Sequence, residues 1–323
     1  MNLTRRALLA GAGSLALVRP VAAASSSVAV VEGPAFGATW RAVIEAGSDL
    51  QALATALQGV VASVNAAMSP FRPGSEIGRF NASNDTDWFA LSQQTCDVVT
   101  EALRVAGVTG GAFDPTMGGV VGQFGFGPIS RRSNGGHADI SVRAGAVRKA
   151  LPDLTLDLCG IAKGYALDRM ADGIERAGVE NYLLEVGGEV AARGRHPAGR
   201  AWQVGVERPE TVEPALQRIV AMAGDAMATS GDRVNSYVTG GRRYSHIIDP
   251  HERWPADAGL ASVSVLAPTG MQADAMATAL FAMGSRAGPD FAQRSGLPAL
   301  FLVRENAGVR EIMTGGFADR ILT

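Results

Sequence analysis

An α+β fold, one domain of mixed but largely antiparallel sheets with flanking helices, is what the sequence predicts, on three observations. Apolar residues recur at helical spacing in four well-separated stretches. Short segments alternating apolar and polar side chains lie between them, without the regular strand-helix-strand period of a doubly wound sheet. No flexible linker and no internal repeat divides the 323 residues, a length that buries a substantial core.

The chain opens Met1-Asn2-Leu3-Thr4-Arg5-Arg6, then an apolar stretch from Ala7 to Val18, then Pro20-Val21-Ala22-Ala23-Ala24. A charged start, a short apolar run and a small-residue end predict a secretory signal over residues 1–24, cleaved after Ala24, with the domain at 25–323. The run is too short for the ~20 residues that span a bilayer. Paired arginines before it predict the twin-arginine route to the periplasm.

Ser48 is placed to cap a helix whose inward face is Leu50, Leu53, Leu57, Val60, Val61, Val64 and Met68, stopped by Ser69-Pro70. A second helix starts at Ser92, turns Cys96, Val99, Leu103 and Ala106 inward, and ends in Gly110-Gly111. A third follows Gly160 and ends near Gly178, and the fourth runs from Gln272 to Met283. Alternation predicts strands at Leu154, Leu156 and Leu158, at Trp202, Val204 and Val206, and at Val263 and Val265. Leu300 to Val303 and Val309 to Met313 read as a hairpin with a longer loop, Glu305 to Gly308. Glycine is too dense between Gly107 and Gly127 for a regular element, so that stretch reads as a ligand-wrapping loop; Ser130 to Val142 reads as an exposed one.

A net charge of -2 with no interleaved basic and aromatic residues excludes nucleic-acid binding as the main activity. The two cysteines, Cys96 and Cys159, read as buried thiols rather than a bridge, and their spacing fits no metal site.

Chemistry concentrates in two distant segments. In Asp274-Ala275-Met276-Ala277-Thr278, a carboxylate and a hydroxyl four residues apart project from one helix face, the geometry that a hard cation needs. Leu156 to Tyr165 runs from a strand through Gly160 into a helix that carries Lys163 where backbone N–H groups already favour anions. Together they point to a divalent ion and a phosphorylated ligand. Lys163 reads either as a phosphate contact or as a solvated surface lysine. His246 reads either as a general base or as a satisfied core histidine. Asp114-Pro115 is either a turn starter or part of a ligand site, and Thr229 and Ser230 either bind phosphate or cap a turn.

Seven strings, in order, resemble the FAD:protein FMN transferases, the ApbE family. They are Met68 to Ile77 with Arg79-Phe80-Asn81; Gly111-Ala112-Phe113-Asp114-Pro115-Thr116; Asp157 to Tyr165; Glu185 to Glu189; Ala228 to Asp232; Tyr244 to Pro250; and Asp274 to Thr278. The resemblance implies two lobes with FAD in the cleft between them, Mg2+ on its pyrophosphate, and transfer of FMN to a Ser/Thr hydroxyl of another protein with release of AMP. It places the metal on Asp274, Thr278 and the Gly160 carbonyl, the flavin nucleotide at Ala112, Phe113, Asp114, Asp157, Lys163 and His246, and the flavin walls at Phe36 and Phe71. Catalysis would rest on His246 and Asp274. The twin-arginine start is similar to that of the family's accessory member in nitrous oxide reduction, which implies a membrane redox-complex flavoprotein as acceptor.

The chain also departs from the family pattern. Phe36-Gly37-Ala38-Thr39 stands where methionine before Gly-Thr is common, Phe71 where tyrosine is common, and Cys159 where a small residue is usual. His251-Glu252-Arg253-Trp254 replaces a loop that usually contains glycine. The same residues are compatible with FAD hydrolysis or with a flavin carrier that does not turn over.

Overall fold

The computed structural model describes residues 17–19, 28–46, 49–209, 215–306 and 308–322. The proposed cleavage point at Ala24 lies outside them, as does Ser48, the cap expected for the first helix. Helix α1 (Leu50–Met68) is capped by Asp49, whose side chain accepts from the Ala52 N–H. Its buried residues, Leu53, Leu57, Val61, Val64 and Met68, recur every three or four positions. Ser69 is extended, as a residue before proline prefers, and so the helix stops there. Ser75 caps α2 (Glu76–Ala82), and Ser92 caps α3 (Gln93–Val108) as the sequence predicts. Three more helices follow among the described residues: α4 (Gly118–Gln123), α5 (Ala162–Arg176) and α6 (Gly270–Arg294).

Nine strands form the main sheet, in the order Leu17–Arg19, Val28–Ala35, Ala38–Glu45, Tyr182–Val186, Glu189–Arg193, Ala226–Gly231, Leu260–Ala267, Ala299–Glu305 and Gly308–Thr314. Every neighbouring pair in it is antiparallel, so the expected mixture of orientations resolves to one. Strand Leu260–Ala267 is buried at all eight positions because both faces are covered. Val263 and Val265 join Leu280 and Phe281 of α6 on one side; Ala261 and Leu266 join Trp202, Val220 and Phe317 on the other. That second layer is the small sheet of Trp202–Glu207, Leu216–Met222 and Ile321–Leu322. A separate core gathers α2, α3, the end of α1 and the segment 154–161, and it meets α5 and α6 at Ala166, Ala275 and Ala279.

Several elements differ from the sequence reading. Leu154, Leu156 and Leu158 are fully buried, yet residues 154–158 pair with no strand. Side chains take over the ladder: the Asn81 amide donates to the Leu156 carbonyl and accepts from its N–H, both at 2.8 Å. The Leu154 carbonyl accepts from Lys149, whose buried ammonium also reaches the carbonyls of Phe80 and Ser83. Burial, reinforced by Arg131, pushes that ammonium down to about 8.

The glycine-dense stretch contains α4, because its glycines permit contact that no side chain would. A β-carbon at Gly119 would sit 2.0 Å from the Arg131 carbonyl, and one at Gly122 1.9 Å from that of Ile129. The 130–142 segment ends not in loop but in a strand, Ile140–Arg143, with Ile140 buried. Helix α6 extends beyond the predicted Gln272–Met283 at both ends, broken at Gly284 with φ 77°. The C-terminal hairpin pairs Glu305 with Gly308, a two-residue connection rather than a longer loop. Cys96 is buried as expected, but Cys159 is exposed, and both are free.

Two backbone constraints bear on the site. Where α5 crosses α6, a β-carbon on Gly164 would lie 2.2 Å from the Gly270 carbonyl oxygen. Arg253 occupies the left-handed region at φ 51° and donates to the Ser133 carbonyl at 2.6 Å. Gly164→Ala is therefore expected to destabilise the fold by about 1–3 kcal/mol in chemical denaturation. Gly107→Ala, in α3 with open space around it, is expected to leave stability unchanged or raise it by up to about 1 kcal/mol. Arg253→Gly is expected to be more stable than Arg253→Ala by about 1 kcal/mol, because only glycine relieves the left-handed backbone once the guanidinium contact is gone.

Candidate active site

Helices α5 and α6 start side by side, and each start is held by a carboxylate of the other. Asp168 of α5 accepts from the N–H groups of Gly270 at 2.6 Å and Met271 at 2.9 Å. Asp274 of α6 accepts from the Gly164 N–H at 2.9 Å. Both carboxylates meet the positive end of a helix dipole, a favourable place for negative charge. The exchange fixes Asp274, only 3% exposed, against the first turn of α5, which carries Lys163.

Lys163 forms an ion pair with Glu189, which lies in the strand after the Gly187-Gly188 turn. Burial raises the Glu189 and Asp274 carboxyls above the usual carboxylate range even though Lys163 pulls both down. Burial alone would lower the Lys163 ammonium, but Glu189 and Asp274 hold it above its ordinary value. One ammonium is thus shared by two buried carboxylates whose raised pKa favours keeping a proton, which a second cation would displace. Oε2 of Glu189 is the buried side-chain polar atom without a hydrogen-bond partner among the described residues.

Thr278 follows Asp274 by one helical turn, with Oγ1 at 3.5 Å from both the Gly160 carbonyl oxygen and Ser230 Oγ. These separations are long for hydrogen bonds, so the oxygens keep lone pairs for another partner. Among the described residues no three His, Cys, Asp or Glu converge as a metal set. A cation here would take Asp274, the Thr278 hydroxyl and the Gly160 carbonyl, all hard oxygen donors, with further oxygens from its ligand. That donor set, the second buried carboxylate with no cation of its own and the orphaned oxygen fit Mg2+.

A β-carbon on Gly160 would meet Thr278 Oγ1 at 3.0 Å and the Phe113 ring at 3.3 Å. Phe113 and Ala112 are buried, with Phe113 in the same core as Leu158 and Ile161. Both oxygens of Asp114 are engaged locally: one accepts from the Thr116 N–H and hydroxyl, the other from the His137 N–H. Asp157 accepts from the Cys159 N–H, turning the chain toward Gly160, and its own N–H reaches the Pro115 carbonyl. Phe36 takes the left-handed conformation at φ 50° and packs partly buried between two cores. Phe71 stands apart, 56% exposed in the turn between α1 and α2.

His246 directly follows strand Arg242–Ser245. Its Nδ1 lies 3.0 Å from the Asn235 carbonyl, which only accepts, so Nδ1 carries the proton and Nε2 a lone pair. Burial pushes the imidazole below its ordinary 6.5, and the Lys163 ammonium pushes it further. At neutral pH it is a neutral base.

The structure thus gathers Gly160, Lys163, Asp274, Thr278 and Phe113 at one crossing, with His246 within electrostatic reach. Asp114 and Asp157 support the chain around them, and Phe71 is not joined to the group. Sequence reasoning left Glu189, Asp168 and Asn235 without roles. Glu189 carried a faint signal, a charged residue in an apolar strand just after a glycine pair.

Comparison with known proteins identifies the family. The ApbE family model matches residues 36–301. A FAD:protein FMN transferase of Vibrio cholerae is 35% identical over 303 residues, 89% of this chain and 91% of that one. One of Escherichia coli K12 is 32% identical over 100% of this chain and 99% of its own. The solved flavin transferase ApbE from Vibrio cholerae superposes with a TM-score of 0.82 at 33% identity, over 92% of this chain and 100% of that one. The apo flavinyl transferase ApbE of Pseudomonas stutzeri gives 0.82 at 31% identity, over 91% and 96%. With a family match across most of its length and near-complete overlap with these relatives, the chain belongs to the ApbE family.

Proposed function

We propose that the chain is a FAD:protein FMN transferase that uses Mg2+, exported by the twin-arginine route to act on a periplasmic flavoprotein. The observation that carries the reading is the pair of buried carboxylates sharing Lys163 beside the Thr278 hydroxyl and the Gly160 carbonyl. Asp274, Thr278 and Gly160 would hold the ion, which when bound supplies charge neutralisation on the pyrophosphate and its AMP leaving group. Lys163, kept cationic by its carboxylates, binds a phosphate oxygen. The acceptor Ser/Thr oxygen attacks the phosphorus of the FMN half, a new P–O bond forms, and the bond to the AMP phosphate breaks. Nε2 of His246 takes the hydroxyl proton, and the Nδ1 bond to Asn235 fixes the tautomer that makes this possible. Water in place of the acceptor hydroxyl would give FAD hydrolysis with the same residues, and a carrier would bind FAD unchanged.

Incubation of the protein with FAD, Mg2+ and a Ser/Thr-bearing acceptor, read by intact mass and AMP release, separates the three. An FMN mass gain on the acceptor that chelation abolishes is expected. AMP without modified acceptor would mean hydrolysis, and unconverted bound FAD a carrier. Asp274→Ala is expected to abolish metal-dependent turnover, whereas His246→Ala slows transfer about 10²–10⁴-fold with FAD affinity retained. Since protonated His246 accepts no proton and its pKa is lowered, the acid limb of kcat/KM is expected below pH 6.5. It should be absent from the residual activity of His246→Ala.

A further inference from the structure

Around His246 an aromatic surface continues outward from the site. The hairpin of Ser236–Thr239 and Arg242–Ser245 pairs Tyr237 with Tyr244 across its strands, their rings stacked 5.2 Å apart. Phe126 stacks on Tyr237 at 5.3 Å and turns its ring toward His246 at 6.2 Å. Phe124 and Trp254 extend the cluster edge to face at 4.9 Å. Its outer side stays in water: Tyr237 is 40% exposed and Trp254 39%.

Arg242 brings a positive charge to the same face. Arg233 is paired with Glu207, and Arg243, on the opposite face of the hairpin, is paired with the buried Asp232, which Arg304 also pairs. Arg242 spreads its guanidinium over both Tyr244 and Trp254, at 5.6 and 5.4 Å from their ring centroids. An exposed aromatic patch with an arginine on it is the composition of a protein interface centre.

We propose that this face docks the acceptor polypeptide, through a segment bearing carboxylates and an apolar side chain next to its reactive Ser or Thr. The inference rests on the transferase reading, which requires a protein hydroxyl to arrive at His246. Two features select this occupant: the patch is continuous with His246 through Phe126, and the Arg242 guanidinium spread over it complements a carboxylate.

The test uses two fluorescein-labelled peptides of equal length, each with one threonine, flanked by Asp and Leu in one and by Lys and Leu in the other. Binding to the full chain with FAD and Mg2+ is followed by anisotropy, and FMN transfer by mass. The Asp peptide is expected to bind at least tenfold more tightly. Arg242→Glu and Tyr237→Ser are each expected to weaken it by tenfold or more, with FAD affinity and circular dichroism unchanged. Equal binding of the two peptides, or variants that bind the Asp peptide as the parent does, would overturn the proposal. A parallel loss of FAD affinity would overturn it by giving the face to the nucleotide, and a change in particle mass by light scattering would do so by giving it to a second copy. Selective binding without FMN transfer would uphold the docking face while the transferase reading fails.

Discussion

The site depends on a close crossing. Helices α5 and α6 can start side by side only because Gly164 and Gly270 let two backbones touch, where a β-carbon on either would lie within 2.7 Å of the other's carbonyl oxygen. At that distance each helix must dispose of N–H groups that its own turns leave unpaired. Asp168 and Asp274 do so reciprocally. The crossing brings Lys163 and Asp274 together across more than a hundred residues of sequence, and the turn that leads into α5 sets Gly160 against Thr278. Fold and chemistry share the same atoms here, since Asp274 both holds the crossing and serves as a candidate ligand.

Burial gives the charges their character. A solvated lysine between two carboxylates would be screened and of little consequence. Enclosed, one ammonium does not balance two ionised carboxylates, so the group favours either a retained proton or a second cation. His246 feels the Lys163 ammonium from the other side and stays neutral. Acid, base and cation preferences of the site therefore follow from one arrangement of charges rather than from separate devices.

Much of this was legible in the sequence where signals are local. Ser92 caps a helix because a short hydroxyl side chain reaches the N–H three residues on, and apolar spacing marks the buried faces of α1 and α3. The Asp274 and Thr278 pair was legible because four residues make one turn. What failed depended on partners remote in sequence. Alternation at Leu154 to Leu158 reports which side chains are buried, not which backbone they bond, and the bonding partners are Asn81 and Lys149. Glycine density around Gly118 reads as loop because nothing local reveals that residues 129–131 press against those positions. Glu189 finds Lys163 twenty-six positions away, and no local pattern names that pairing. The altered 251–254 segment could be seen to lack glycine, but only the structure shows Arg253 taking the glycine conformation while holding Ser133.

Asn81 gives the fold an unusual point of dependence. Its amide presents one donor and one acceptor to Leu156, the same pair that a neighbouring strand would offer. The segment that leads to Asp157 and Gly160 is thus anchored at Leu156 by one side chain in the part of a strand neighbour, with Lys149 on the Leu154 carbonyl beside it. In an ordinary sheet the ladder belongs to the backbone and survives nearly any change of residue. Here a rung of it is encoded by one residue type, so a position on the short helix α2 carries the sequence constraint of the active-site loop.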